Sequence, residues 1–75
     1  MIRYKIDVFE VMRKYGYTQN RLRREKILSA QTMQNIKEGK SITLETLNTI
    51  CVICRCQPGD IIETVPTDEE KIRFF

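Results

Sequence analysis

The sequence predicts a small, mainly α-helical domain of four to five helices, with a small two-stranded sheet that could join the N- and C-terminal segments. Four consecutive segments each follow a Ser, Thr or Asp suited to the N-cap, and three of them carry apolar residues at helical spacing. Short β-type runs lie near both ends. The 75 residues suffice for one domain with a limited core.

The chain begins with a predicted strand and a first helix. Residues 2–6 alternate apolar and basic side chains, as in a half-buried strand. Helix 1 is predicted at about residues 8–15, with Asp7 as the N-cap and Gly16 at the left-handed position that ends it. Its apolar stripe comprises Val8, Val11, Met12 and Tyr15.

Two short helices follow, each with a hydroxyl side chain as its N-cap. Helix 2 is predicted over residues 19–26 after Thr18, and helix 3 over residues 30–38 after Ser29, with Gly39 as its stop. The core residues expected on these two helices are Leu22, Met33 and Ile36.

Helix 4 is predicted at roughly residues 44–54, capped by Thr43. Its inward apolar positions are expected to be Leu44, Leu47, Ile50, Cys51 and Cys54. Val52 should then point outward, with Ile53 near the edge of the helix. These two side chains could be dimer contacts, or they could be isolated apolar residues on the surface.

The C-terminal segment reads as a turn followed by a second strand. Residues 57–60 form the turn, with Pro58 suited to the first position of a helical turn, and residues 61–65 form the strand. We expect a domain over residues 1–66 and a flexible tail over residues 67–75. The tail ends in apolar residues that could contact a partner or form a disordered end: Ile72, Phe74 and Phe75.

Basic residues are concentrated in the first half of the chain. Residues 1–40 carry ten Lys or Arg and four Asp or Glu, whereas residues 41–75 carry three and six. This division suggests that the first half meets a polyanion. Surface charge scattered at random is the alternative, and the division alone does not decide between them.

Cys51, Cys54 and Cys56 lie close together in a chain that has no histidine. A structural zinc site normally takes four Cys or His ligands, so a complete site within the chain is excluded. An odd number of cysteines without an export signal also argues against a disulfide framework. We expect these residues to be small, buried or half-buried positions on a helix.

Neither a cofactor site nor a catalytic site is evident. The chain lacks histidine and a Gly-rich phosphate loop, and no nucleophile has an evident general base. The sequence therefore predicts neither an enzyme nor a small-molecule ligand. No signal peptide is visible, and no apolar run approaches the roughly 20 residues that span a bilayer, so the cytoplasm is the expected location.

The most informative segment is residues 18–39, where the polar side chains of helix 3 are left pointing away from its core residues. These are Gln31, Thr32, Gln34, Asn35 and Lys37. Gln and Asn amides can bond bidentately to adenine in the major groove, and a helix N-terminus favours phosphates. The flanking basic residues are Arg21, Arg23, Arg24, Lys26, Lys37 and Lys40. A face that is merely solvated is the alternative.

At this point the sequence resembles a known family. The residues that carry the resemblance are Thr18-Gln19, Leu22, Ser29, Thr32-Met33, Ile36 and Glu38-Gly39-Lys40. Their order and spacing resemble the phage-repressor and Cro-type (XRE-like) helix-turn-helix. Leu44, Leu47 and Ile50 resemble its fourth helix, and residues 56–62 resemble the ending of a short, single-domain branch. The resemblance covers about residues 7–62 and implies a lambda-repressor-like DNA-binding domain.

The resemblance implies a role for individual residues. Base contacts are expected from Ala30, Gln31, Gln34 and Asn35, and backbone contacts from Gln19, Ser29, Thr32, Lys37 and Lys40. Gln19 would also brace the reading helix. Ala30 could touch only a thymine methyl group, so Gln31 would carry most of the direct readout.

Two positions depart from the family's pattern. Arg23 stands where the family usually has a small residue at the crossing of helices 2 and 3, and Ile27 stands where it usually has Gly in the turn. An Ile with positive φ would be strained. Either helix 2 continues and the turn differs, or the two helices cross at a wider spacing.

These observations predict a sequence-specific, double-stranded DNA-binding protein, a repressor-like transcriptional regulator that acts as a homodimer with helix 3 in the major groove. The alternative function is a protein-interaction module, such as an antitoxin-like or adaptor subunit, that uses helix 4 and the tail.

Overall fold

Six helices and one two-stranded sheet make up the structure, a computed structural model that describes residues 1–75. In chain order the elements are β1 (Ile2–Tyr4), α1 (Val8–Lys14), α2 (Gln19–Arg24), α3 (Ala30–Lys37), α4 (Leu44–Cys54), α5 (Pro58–Ile61), β2 (Ile62–Thr64) and α6 (Asp68–Phe74). The mainly helical class and the four predicted helices are confirmed, with ends that differ by one or two residues. No helix is long and apolar enough to cross a membrane.

Each of the four predicted N-caps accepts a hydrogen bond from a backbone N–H of the first helical turn. The Oγ1 atoms of Thr18 and Thr43 lie 3.1 and 3.0 Å from the nitrogens of Arg21 and Thr46, and Ser29 Oγ lies 3.1 Å from the nitrogen of Thr32. Asp7 Oδ1 accepts from two such groups. These bonds satisfy donors that have no partner within the helix and so determine where each helix begins.

Helices α1 and α3 end as predicted, with a glycine in the left-handed region. The φ angles of Gly16 and Gly39 are 87° and 70°. The backbone N–H of the residue after each glycine donates to a carbonyl of the last helical turn, from Tyr17 N to Met12 O in α1 and from Lys40 N to Asn35 O in α3. This pattern is the Schellman motif, which satisfies the last carbonyl groups.

The turn between α2 and α3 is also a Schellman motif, but its left-handed residue is Lys26, with a φ of 57°, and not Ile27. Helix α2 ends at Arg24, two residues before its predicted end, so the alternative in which helix 2 continues through the turn is wrong. The N–H groups of Lys26 and Ile27 bond to the carbonyls of Arg23 and Leu22. Ile27 therefore avoids positive φ and packs, half-buried, against the core.

The core consists of eleven buried residues, all of them apolar or cysteine: Val8, Met12, Leu22, Leu28, Met33, Ile36, Leu47, Ile50, Cys51, Cys54 and Ile61. Three residues predicted to be in the apolar stripes are not among them. Val11 is half-buried and packs against the core. Leu44, the first residue of α4, is 84% exposed because no neighbouring element covers it. Tyr15 is 43% exposed because it follows the last residue of α1, and its ring lies beneath the Arg55 guanidinium.

The predicted pairing of the two terminal strands is confirmed. Strands β1 and β2 are antiparallel, with Arg3 opposite Glu63 and Tyr4 opposite Ile62. Arg3 Nη2 and Glu63 Oε1 lie 2.5 Å apart, an ion pair across the sheet. Both strands are shorter than predicted, and Ile61 is fully buried at the end of α5. The sheet thus joins the two ends of the domain beside the helices.

The last segment forms a helix, α6, where the sequence predicts an irregular tail. Its N-cap is Thr67, and Glu70 completes a capping box by accepting from the Thr67 N–H. The N-terminal amine donates to Glu70 Oε1, and these hydrogen bonds hold the pKa of that carboxyl at about 2. Helix α6 buries no residue, so local capping and not core packing explains it. The division into a domain at 1–66 and a tail stays a prediction.

Lys26→Gly should stabilise the fold. Glycine adopts positive φ without the Cβ clash that a lysine meets, so the free energy of unfolding should rise by about 1 kcal/mol. Thermal denaturation followed by circular dichroism measures the change. Lys26→Ala is the matched control because it removes the charge but keeps a Cβ atom, and therefore the backbone strain, at positive φ. Equal gains for the Gly and Ala variants would contradict the backbone explanation.

Candidate nucleic-acid interface

Helix α3 is held against the core by one side and presents the opposite side to solvent. Met33 and Ile36 are 3% and 7% exposed. Three residues apart, they occupy neighbouring positions on one face of the helix. Gln31 and Gln34 are exposed on the other side, and Asn35 is half-buried at its edge. The structure thus confirms that the amide side chains of α3 do not pack into the protein.

Two side-chain hydrogen bonds order the amides along this face. Gln31 Nε2 donates to Asn35 Oδ1 at 3.0 Å, and Gln34 Nε2 donates to Glu38 Oε1 at 3.1 Å. Both bonds join residues four apart, one helical turn along the same face. Because Asn35 takes one hydrogen of the Gln31 amide, the Gln31 carbonyl oxygen and the Asn35 amide hydrogens are left for a ligand.

A cleft between α2 and α3 contains several of the predicted contact residues. It is lined by Gln19, Arg23, Ala30, Met33, Gln34 and Lys37. Gln19 is exposed there, and its side chain makes no hydrogen bond to α3, so the expected bracing through such a bond is absent. Lys37 Nζ lies 5.8 Å from the centroid of the Phe9 ring, within the range of a cation–π contact with α1.

A second cleft continues the same surface toward the turn. It is lined by Arg23, Lys26, Leu28, Ser29 and Ala30. Arg23 borders both clefts with its side chain exposed, and this is how the structure accommodates an arginine where the family usually has a small residue. Arg23, Lys26 and Lys37 form no ion pair within the protein. Their charge is therefore uncompensated locally, with Arg23 and Lys26 near the N-terminus of α3 and Lys37 at its last residue.

Other basic residues of the first half are occupied within the protein. Arg21 Nε lies 2.8 Å from Glu25 Oε2, and its guanidinium also donates to the Gly16 carbonyl and lies over the Tyr17 ring. These contacts connect α2 to the end of α1. Arg21 is therefore a structural residue in the free protein, which distinguishes it from the three unpaired cations.

Lys40, predicted to contact the DNA backbone, forms an ion pair in the free protein. Its Nζ atom lies 3.0 Å from Glu38 Oε2. Hydrogen bonds from Gln34 and Lys40 lower the pKa of the Glu38 carboxyl, which is therefore ionised at neutral pH. The pair is exposed, so the energy that holds it together is small. A phosphate could replace Glu38 as the partner of Lys40.

The hydroxyl groups at the start of α3 bond to each other. Ser29 Oγ accepts the Thr32 N–H and donates to Thr32 Oγ1 at 2.9 Å. This confirms Ser29 as the N-cap. The Thr32 hydroxyl still has its own hydrogen to donate, and Thr32 is half-buried beside the exposed face. Of these two residues, Thr32 is the one whose donor is not used by the cap.

The two predicted dimer contacts differ in exposure. Val52 is 67% exposed, whereas Ile53 is half-buried and packs against the core. Val52 borders a groove along α4 together with Leu44, Cys51, Arg55 and Cys56. This groove does not include any of the predicted DNA-contacting residues. No group of three or more Cys, His, Asp or Glu side chains is placed to hold a metal ion.

Two cations beside α3, Arg23 and Lys26, are not among the residues that the sequence predicts to contact DNA. The sequence identifies them only as basic residues that flank the amides. Arg23 occupies the position where the family usually has a small residue at the helix crossing. This departure from the pattern indicates that the arginine side chain points outward. For Lys26 the signal is weaker, because only the observed turn shows that the left-handed residue precedes Ile27.

Comparison with protein families places this geometry in a known class. Residues 7–67 match the model of the Cro/C1-type HTH DNA-binding domain. Neither the curated proteins nor the solved structures provide a significant match. The match covers α1 to α5 and both clefts beside α3. The chain therefore belongs to the family of Cro/C1-type helix-turn-helix DNA-binding domains.

Proposed function

We propose that the protein recognises a specific duplex DNA site as a homodimer, with α3 in the major groove, and that it regulates transcription in a repressor-like manner. One observation carries the proposal: the exposed amides of α3 lie beside cations that have no ion-pair partner in the protein. An exposed polar helix face by itself needs only water as its partner. Amides that can read bases, placed beside cations that can hold phosphates, suit a duplex. Since the ligand is chromosomal or phage DNA, the cytoplasm stays the predicted location.

Direct readout is assigned to the hydrogen-bonded pair Gln31 and Asn35. The pair offers a carbonyl oxygen from Gln31 beside amide hydrogens from both residues. Adenine presents an N6 donor and an N7 acceptor side by side in the major groove, which this arrangement complements. The bond between the two amides also reduces the freedom that each side chain would lose on binding.

Two further residues extend the proposed reading face. Ala30, at the first position of α3, is exposed and has only a methyl group to offer, so it can contact a thymine methyl. Gln34 is exposed but bonds to Glu38, so it must exchange that partner before it contacts a base. We therefore rank Gln34 below Gln31 as a source of specificity.

Phosphate contacts are assigned to the side of α3 that faces α2 and to the two ends of α3. On the α2 side we place Gln19 and Lys37, which line the first cleft, and add Arg23 and Lys26. At the two ends of α3 we place Ser29, Thr32 and Lys40. Such contacts orient the protein and carry most of the affinity without selecting a sequence, so binding should weaken steeply with added salt.

Dimerisation is proposed because one module of this size buries too little DNA surface for tight binding. Two modules on a palindrome, with recognition helices about 34–36 Å apart, are the usual solution. Val52 is the proposed contact, since it is exposed beside the α4 groove and separate from the α3 face. Ile53 contributes less because the core already covers much of it.

A protein-interaction module is the second candidate function. Exposed apolar side chains on α4 and α6 favour it: Leu44, Val52, Ile72, Phe74 and Phe75. Large apolar residues concentrated on two elements are typical of a contact surface for another protein. Selection from random duplexes separates the two functions, because a protein-interaction module has no preferred site even at low salt.

Gln31→Ala should reduce affinity for a site selected in vitro by roughly 1–3 kcal/mol and relax the preference at one base pair, because the adenine-complementary pair is lost. Fluorescence anisotropy with selected and scrambled duplexes measures both effects. Lys37→Ala is the control and should weaken binding to all sequences about equally. Unchanged selectivity in Gln31→Ala would show that the reading face is wrongly assigned.

Glu38→Gln should strengthen binding to every duplex by about 3- to 10-fold at low salt, since it frees Lys40 and removes a negative charge next to the phosphates. Titrations at several salt concentrations measure the gain. Glu69→Gln removes the same charge from α6 and should have little effect. If both variants gain equally, net charge explains the result and the Lys40 assignment fails.

Val52→Lys should shift the free protein from dimer to monomer in sedimentation velocity runs, because a charge would be buried at the proposed contact. Ile72→Lys introduces the same charge on α6 and should leave the dimer intact. The reverse result, with only Ile72→Lys dissociating the dimer, would move the interface to α6.

A further inference from the structure

The three cysteines meet at the C-terminal end of α4. All three are free thiols, with Cys51 and Cys54 buried and Cys56 half-buried. Burial, and after it the neighbouring Cys56 thiol, raises the pKa of the Cys51 and Cys54 thiols. Cys56 is therefore a neighbour of both buried cysteines, and it could form a disulfide with either of them.

The end of α4 repeats the Schellman geometry found at the ends of α1 and α2. Arg55 takes the left-handed position with a φ of 54°, and Cys56 N bonds to Cys51 O at 3.0 Å. In this motif the side chains of the two residues joined by that bond frequently contact each other. The equivalent pairs are Met12 with Tyr17 in α1, Leu22 with Ile27 in α2 and Asn35 with Lys40 in α3. Only in α4 are both members cysteine.

Solvent reaches one cysteine pair and not the other. Cys51 and Cys56 both border the open groove along α4, beside Val52 and Arg55. Cys54 does not border it and is only 4% exposed. A small solute in the groove therefore lies next to the half-buried Cys56 and the buried Cys51.

We propose that Cys51 and Cys56 form a redox-sensitive pair, which a peroxide converts to an intrachain disulfide and a dithiol converts back. The pair is a modification site separate from the α3 face, and it does not depend on the DNA-binding function. Cys54 belongs to the core and takes no part in the reaction.

The chemistry needs one peroxide and two thiols. The Cys56 thiolate attacks one peroxide oxygen and the O–O bond breaks, which leaves a sulfenic acid on Cys56 and releases water after proton transfer. The Cys51 sulfur then attacks the Cys56 sulfur, the S–S bond forms, and hydroxide leaves as water with the Cys51 proton. The two sulfur atoms together lose two electrons, and hydrogen peroxide is reduced to two waters.

Local structure favours Cys51 over Cys54 as the second thiol. Only one residue separates Cys54 from Cys56, so a disulfide between them would close a small ring, whereas Cys51 and Cys56 are already joined by a backbone bond. Burial raises the pKa of both buried thiols, and that of Cys54 reaches about 11. Of the two buried thiols, Cys54 is therefore less able than Cys51 to supply a thiolate at neutral pH.

Peptide mapping tests the proposal on the full, folded protein. Reduced protein is treated with hydrogen peroxide, alkylated in denaturant and digested with trypsin. Cleavage after Lys40, Arg55 and Lys71 separates peptide 41–55, which holds Cys51 and Cys54, from peptide 56–71, which holds Cys56. We expect the two peptides to be joined after oxidation and separate after reduction, and fragment spectra should assign the bond to Cys51.

Two variants complete the test, with circular dichroism to verify folding. Cys54→Ala should still give the joined peptides. Cys51→Ala should not, and its Cys56 should be trapped as a sulfenic acid by dimedone. A bond assigned to Cys54 in the wild-type protein would overturn the proposed pair. So would the absence of joined peptides, or their appearance only in covalent dimers on a non-reducing gel.

Discussion

Burial of Met33 and Ile36 is the interaction on which the arrangement of the proposed DNA-binding face depends. A helix of only eight residues is not stable in water without packing, so α3 exists because these two side chains are held by the core. Once they are buried, helical geometry sends Gln31 and its neighbours to the opposite side. The proposed recognition chemistry thus rests on two side chains that face the core and not the exposed surface.

The second organising feature is the way in which the helices end. Four of them close with a Schellman motif, and its left-handed residue is a glycine in two cases and Lys26 or Arg55 in the other two. At Lys26 the strained position also carries one of the unpaired cations beside α3. The strained backbone at this turn therefore places a positive charge beside the surface proposed to bind DNA.

Ion pairs within the protein distinguish the basic residues that stabilise the fold from those that are free to bind a ligand. Arg21 connects α2 with the end of α1, and Lys40 is paired with Glu38, whereas Arg23, Lys26 and Lys37 have no acidic partner. Counting basic residues in the first half of the chain does not reveal this difference. Because exposed pairs are weak, Lys40 can exchange its partner on binding at little cost.

The sequence by itself determined the positions of the helices and the family. N-caps, glycine stops and apolar spacing are local signals, so α1 to α4 and the amide face of α3 could be read from them. Tertiary structure alone decided that Leu44 is exposed, because its burial depends on which elements pack against the start of α4. The linear pattern also did not locate the left-handed residue at Lys26 or the Lys40–Glu38 ion pair, because both depend on the exact residue at which α2 and α3 end.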